Sequence, residues 1–365
     1  MKKSKARKVI SIIFIALLVI VMVVVIGAWS MFGTTISAAN TIEKLDEGLY
    51  SLTFKGEYGF DEFIAQGGAS NDEAVACYLV SFLSNGFYKP DTSPNATDIG
   101  CSTITANTPD DKVLFGRNYD WEKCSAMIVH TIPKNGYASV STCCLDFLGF
   151  DENWQADGSM MDRMMAIASI YVCLDGMNEK GLMIADLMAG DKVETHQDTE
   201  KCDLTTTTAI RLILDKAATV DEAVTLLEQY DMNSSIGAAH HFSICDASGK
   251  SVVVEYIENE MYVTETKVVT NHYLTDSEKY GIGSNQSHIR FDTLTEAYYK
   301  TGGVMGENEV RDAMKSVAQL NFRNAGEEEY ERTMWSIVYN PAKLTMNFYW
   351  NEDFEHPLLL NLSGY

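Results

Sequence analysis

Cys101, Arg117 and Asp120 sit in one short stretch, Cys101-Ser102-Thr103-Ile104 followed by Gly116-Arg117-Asn118-Tyr119-Asp120. A thiol attacks a carbonyl only after it loses its proton, and a neighbouring guanidinium favours the thiolate. These residue types therefore point to nucleophilic chemistry, but no base lies beside them in sequence. A histidine from anywhere in the chain could serve. So could the α-amine of Cys101 itself, whose ordinary pKa of about 7.7 to 8.0 suits proton transfer near neutrality. That second route requires Cys101 to be the first residue of a mature chain. Gly100 offers an unhindered carbonyl for such a cut.

The elements that must position these groups read as a hairpin. Thr103-Ile104-Thr105 is β-branched, Asn107-Thr108-Pro109-Asp110-Asp111 is dense in turn formers, and Lys112 to Phe115 is extended again. With those five residues as the loop, Ala106 faces Lys112 and Cys101 faces Arg117 on the same side of the sheet. A slip of one residue would bring Gly116 there and turn Arg117 away.

The pattern Cys-x14-Gly-Arg-Asn-x-Asp resembles the choloylglycine hydrolase and linear amide C–N hydrolase branch of the N-terminal nucleophile (Ntn) hydrolases. Penicillin V acylases, bile salt hydrolases, N-acylethanolamine acid amidase and the isopenicillin N acyltransferases are its members. The Gly100-Cys101 junction is most similar to the members that cut themselves from a precursor. The resemblance implies an α+β, four-layer αββα sandwich. It makes Cys101 the nucleophile with its freed amine as base, sets Arg117 beside the sulfur, and has Asp120 hold the amine.

Later motifs extend the resemblance. Asp175-Gly176-Met177-Asn178-Glu179-Lys180-Gly181-Leu182 reads as a polar turn between two buried strands and matches the family's wording. By the same resemblance Asn271, in Thr270-Asn271-His272, donates to the oxyanion, and Arg290 is a second active-site arginine. Read alone, Asn271 is a turn former and Arg290 a surface helix-start residue. Met188 stands where bile salt hydrolases and penicillin V acylases carry Asn or Tyr. Its backbone N–H can still complete an oxyanion hole, but a polar substrate contact is lost. The chain between Asn271 and Arg290 is also shorter than in bile salt hydrolases. Both departures favour another N-acyl amide, its acyl group lodged against Met188, Phe147 or Tyr273.

Around this centre the 365 residues divide into three parts. Residues 1–33 carry five cations before an apolar run, Val9 to Phe32, long enough for a bilayer, and read as a signal-anchor with its N-terminus inside. A cleaved signal peptide ending near Ser37-Ala38-Ala39 is the rival. Residues 34–100 form a prosegment, a candidate small subunit, with Asn71 capping a helix whose Val75, Leu79, Phe82 and Leu83 share a side. Residues 101–365 form the catalytic domain. Strands are expected at 138–147, 166–173, 182–187, 241–246, 251–257, 261–265, 267–270, 335–339 and 344–350. Helices are expected at 206–217, 220–230, 291–300 and 308–319, an arrangement of sheets covered by helices.

Without the five N-terminal cations, 23 Lys and Arg face 51 Asp and Glu, which disfavours nucleic acid and anionic lipid as partners of the exported surface. The other seven cysteines make no disulfide framework or zinc spacing, and His240-His241 point to opposite faces of a strand. No metal or cofactor is expected. Expected partners are a small-molecule N-acyl amide and, through the N-terminal helix, the membrane, with homo-oligomers allowed. The residues together read as an exported, self-processing cysteine amidohydrolase. A conjugated bile salt hydrolase or penicillin V acylase is the near alternative. A non-catalytic acyl-ligand-binding surface protein and a histidine-dependent cysteine peptidase are the alternatives from other classes.

Overall fold

The computed structural model describes residues 32–84, 100–121, 124–148, 154–320 and 332–364. The apolar run expected to span a membrane lies outside them apart from Phe32. No helix among the described residues is long and apolar enough to cross a bilayer.

Two sheets lie face to face. One has nine strands in the order β1 (Glu43–Asp46), β2 (Leu49–Lys55), β5 (Ala126–Ile132), β6 (Ser139–Cys144), β7 (Asp175–Asn178), β8 (Met183–Met188), β11 (His240–Cys245), β12 (Ser251–Ile257) and β13 (Glu260–Glu265). The other has six, in the order β14 (Val268–Val269), β3 (Cys101–Asn107), β4 (Val113–Trp121), β15 (Arg332–Asn340), β16 (Thr345–Trp350) and β17 (Leu358–Asn361). A short parallel pair, β9 (Cys202–Thr205) and β10 (Tyr230–Asn233), stands apart.

Alternation along the strands decides what each face meets. From β3, Thr103 and Thr105 point inward and bond the hydroxyls of Ser243 and Ser251 on the opposite sheet at 2.9 and 3.0 Å. Ile104 and Ala106 point outward, beneath helices α7 (Asn285–Lys300) and α8 (Glu307–Ser316). The outer face of the larger sheet carries Leu52, Phe54, Ile184 and Phe242. It is covered by α2 (Phe60–Ala65), α3 (Asp72–Ser84), α4 (Met160–Ala166), α5 (Thr206–Lys216) and α6 (Val220–Leu227). The result is helix, sheet, sheet, helix, the layering the resemblance implies. Each fully buried aliphatic in these layers is worth about 1.5–3 kcal/mol.

Residues 34–100, expected as a prosegment, hold more than a helix. Their strand β2 pairs in parallel with β5, so they supply two strands to the larger sheet. Helix α1, residues 32–39, precedes them. In α3, Asn71 caps by accepting from the Ala74 N–H at 2.9 Å, and Val75 and Leu79 are buried.

Three local expectations need correction. The hairpin register is two residues off: Thr103, not Cys101, faces Arg117, and Cys101 faces Tyr119. Asn107 stays in the ladder, and the loop is Thr108 to Lys112, closed by Thr108 Oγ1 accepting from Lys112 N–H, with Asp111 left-handed at φ 61°. Because the side-chain period is two, this slip keeps Cys101 and Arg117 on one face as diagonal neighbours. Residues 166–173, expected as a strand, form a 3-10 helix, Ile167–Tyr171, continuing from α4. Asp175 to Asn178, expected as a turn, is strand β7, and the turn begins after it.

Gly116 lets α8 approach β4. A Cβ there would lie 2.8 Å from Val310 Cγ1 and 2.9 Å from Met314 Cγ. Gly116→Val should therefore cost about 1–3 kcal/mol by overpacking, measured as a lower urea midpoint with an unchanged slope.

Candidate active site

Cys101 opens β3, Asp120 nears the end of β4, Met188 ends β8 and Asn271 follows β14, so the ends of four strands meet. Arg290 enters from α7. Cys101 is 2% exposed and Arg117 fully buried.

The Cys101 N–H donates to Asn271 Oδ1 at 2.6 Å, and Arg290 Nη2 donates to the same oxygen at 2.8 Å. Arg290 Nη1 donates to the Cys101 carbonyl and, at 2.7 Å, to Ser102 Oγ. With Oδ1 held by two donors, the Asn271 amide has one orientation, and Nδ2 donates to the Met188 carbonyl at 2.8 Å. The neighbouring Ala189 N–H goes across to Ala239 on the β11 side. By alternation, Met188 turns its own N–H toward the same edge as its carbonyl, where Asn271 lies.

Asp120 accepts from Thr333 Oγ1 at 2.6 Å and Gln319 Nε2 at 3.2 Å, and Arg290 Nη1 is 3.8 Å away. Its backbone N–H donates to the Gly100 carbonyl at 3.0 Å. A Cβ on Gly100 would press on the Gln319 amide and come within 2.9 Å of Asp120 Oδ2. Only glycine fits that slot without displacement.

Arg117 projects between the sheets. Its Nε lies 3.3 Å from Asp175 Oδ2 and its Nη1 donates to the Asn118 carbonyl at 2.9 Å. Asp175 also accepts from Tyr339 Oη at 2.7 Å and Trp335 Nε1 at 3.4 Å. Burial pushes the Cys101 thiol up to about 11, while the adjacent Arg117, which hydrogen-bonds it, pulls downward. Burial opposes the Arg117 charge, but Cys101 and Asp175 more than offset it, so the guanidinium stays charged. In the uncut chain, then, desolvation outweighs the cation that the residue pattern singles out.

The structure thus brings together Cys101, Arg117, Asp120, Asn271, Arg290 and the Met188 backbone. Phe147 also reaches this end, packed edge-on against Trp121 with ring centroids 5.0 Å apart. The Tyr273 ring packs with Ala189, Ala239 and Ile257, a cluster apart from the one that contains Cys101. Sequence reasoning missed Asp175, Thr333 and Gln319. The Asp175-Gly176-Met177-Asn178 wording was the available signal for Asp175; the other two carry none, being ordinary polar residues distant in sequence. Asn178 has the structural role its motif implies, donating to the Leu214 and Ala217 carbonyls and accepting from the Lys180 and Leu182 N–H groups. His240 and His241 point apart, His240 to Asp186 and Ser235, His241 to Glu255 and Thr270. Among the described residues no group of three or more His, Cys, Asp or Glu could hold a metal.

Residues 106–354 match the family model described as acyl-coenzyme A:6-aminopenicillanic acid acyl-transferase. The chain belongs to this family. A penicillin V acylase of Pectobacterium atrosepticum is 32% identical over 117 residues, 28% of this chain and 31% of that protein. The chain thus matches about a third of the length of that curated relative. A mutant of the conjugated bile acid hydrolase from Clostridium perfringens superposes with a TM-score of 0.56 at 20% identity, over 73% of this chain and 93% of that one. The penicillin V acylase of Agrobacterium tumefaciens gives 0.51 at 19% identity, over 72% and 87%. These two likenesses establish that the acyl-transferase family member described here has the Ntn-hydrolase fold.

Two measurements check the site. In chains whose mass shows them uncut, iodoacetamide labelling of Cys101 should keep rising as pH approaches 11; a plateau by pH 8 would mean that Arg117 governs the thiol. Arg117→Met strands the Asp175 charge between the sheets and should cost about 3–5 kcal/mol in urea unfolding.

Proposed function

We propose that this chain is a cysteine amidohydrolase that cuts its own Gly100–Cys101 bond and then hydrolyses a linear, non-peptide N-acyl amide. The observation that carries the reading is the lock on Cys101: its N–H is held by Asn271, its carbonyl by Arg290, and the Gly100 carbonyl by the Asp120 N–H.

In the first step Cys101 Sγ bonds the Gly100 carbonyl carbon, the C–N bond breaks, and water opens the thioester to leave a Gly100 carboxylate and a free Cys101 amine. In turnover that amine takes the thiol proton as Sγ attacks the substrate carbonyl, and passes it to the leaving amine. Water then frees the acid and restores the thiol. The Asn271 amide has a second hydrogen beyond the one given to Met188, and with the Met188 N–H it can hold the developing oxyanion. Asp120 and Asn271 Oδ1 can accept from the new amine, while Arg290 holds the Cys101 carbonyl and Asn271 Oδ1 in place.

Of the seven histidines, His240 and His241 have both ring nitrogens engaged, by Asp186, Ser235, Glu255 and Thr270, so neither is offered to Cys101 as its base. The intact constellation disfavours a non-catalytic binding protein. Met188, in place of a polar side chain, favours a different N-acyl amide with an apolar acyl group over a bile salt. The five cations and the apolar run before residue 33 support a signal-anchor with the catalytic domain outside the cell. The prosegment, held by β2–β5 pairing and the buried face of α3, would stay bound after the cut.

Intact mass and N-terminal sequencing of the expressed chain, beside Cys101→Ala and Gly100→Val, test this. The wild type should yield a fragment beginning at Cys101 and both variants should remain whole. A folded wild type that stays whole across pH would remove the free amine from the mechanism. Asn271→Ala should lower kcat on any N-acyl amide that is cleaved by about 100- to 1000-fold, read in steady-state kinetics.

A further inference from the structure

Ile236 has φ +48°, a left-handed conformation that a β-branched side chain strongly resists. Such an outlier persists only when its surroundings impose it, and outliers of this kind gather at ligand clamps. Here the imposing group is on the prosegment. Asp72, the first residue of α3, accepts from Ser235 Oγ and from the Ile236 N–H, both at 2.8 Å. Ser235 is further pinned, its N–H by Thr206 Oγ1 at 3.1 Å and its carbonyl by a His240 ring nitrogen at 3.0 Å.

The strained backbone aims the Ile236 side chain at the core between the sheets, the one that contains Cys101. Ile236, Phe147 and Leu274 are partly buried residues on the border of that core. Each belongs to the end where the reacting groups meet. Phe147 touches Trp121 at the end of β4. Leu274 follows Asn271, and Ile236 precedes His240, which faces Met188 across the β8–β11 pairing.

We propose that Ile236 is a wall of the acyl pocket, a specificity-determining residue, and that Asp72 of the prosegment is the positioning residue that holds it there. The inference rests on the N-acyl amide reading and names its specificity element. On this view the prosegment does more than deliver a folded domain. It remains part of the substrate site, because removing two hydrogen-bond acceptors from the Ser235-Ile236 turn lets the isoleucine relax away from the acyl chain.

The test uses the full chain and two series of probes. One is a set of N-acyl 7-amino-4-methylcoumarin amides from acetyl to palmitoyl, read as kcat/KM. The other is a set of alkyl methanethiosulfonates over the same lengths, read as the rate of Cys101 modification by peptide mass, which requires no turnover. Ile236→Ala should shift the ratio of long-chain to short-chain reactivity by about tenfold in both series, since one or two methylenes in an apolar pocket discriminate on that scale. Asp72→Ala should shift the ratio the same way, and Asp72→Asn, which keeps one acceptor, should fall between. A purely structural role for Asp72 would lower all lengths together. Ratios unchanged within twofold in folded Ile236→Ala and Asp72→Asn would overturn the proposal. Should no amide be cleaved while the thiosulfonate ratios still shift, the hydrolase reading fails and the pocket wall stands.

Discussion

A single fixed amide, that of Asn271, holds the arrangement together at its most demanding point. Its oxygen accepts from the Cys101 N–H and from Arg290, and its nitrogen reaches the last residue of β8. Three elements from two sheets and a helix layer therefore share one planar group whose two ends are not interchangeable. The Arg290 guanidinium determines which end faces the cysteine. Everything else at the site is arranged around that orientation.

Beneath this lock, the Arg117–Asp175 pair bridges the sheets. Both side chains are fully buried, and such a pair gains little net stability over apolar packing of the same volume. What it supplies is a permanent positive charge beside a thiol in a place closed to water, with tyrosine and tryptophan donors satisfying the remaining oxygens of Asp175. The acid is the cost of keeping the cation there.

Much of this was legible in the residues. The strand pattern from Ser251 to Ile257 matches β12 residue for residue, and α5 and α6 begin where the helical patterns at 206–217 and 220–230 placed them. The hairpin was recognisable, but its register was not, because Asn107 is a turn former by type and a strand residue by its bonds to Gly303 and Met305. Residues 166–173 have strand-like composition yet follow directly on α4, and tertiary context made them helical. The place of β2 in the larger sheet was invisible, since nothing in Leu49 to Lys55 names a partner as distant as β5. At the site, Cys101, Arg117, Asp120, Asn271 and Arg290 converge from the ends of strands and from α7. Thr333 and Gln319 could be found only by folding the chain, as could the assignment of Tyr273 to a different cluster.

The parallel pairing of β2 with β5 has a further consequence for the life of the molecule. A crossover between parallel strands of one sheet is made while both belong to one chain, at the modest entropic penalty of closing a loop. Should the proposed cut before Cys101 be made, the same pairing joins two polypeptides. Unfolding would then become dissociation, and recovery would depend on protein concentration. Maturation would act as a ratchet: a precursor that can refold by itself becomes a product that, once lost, does not easily return.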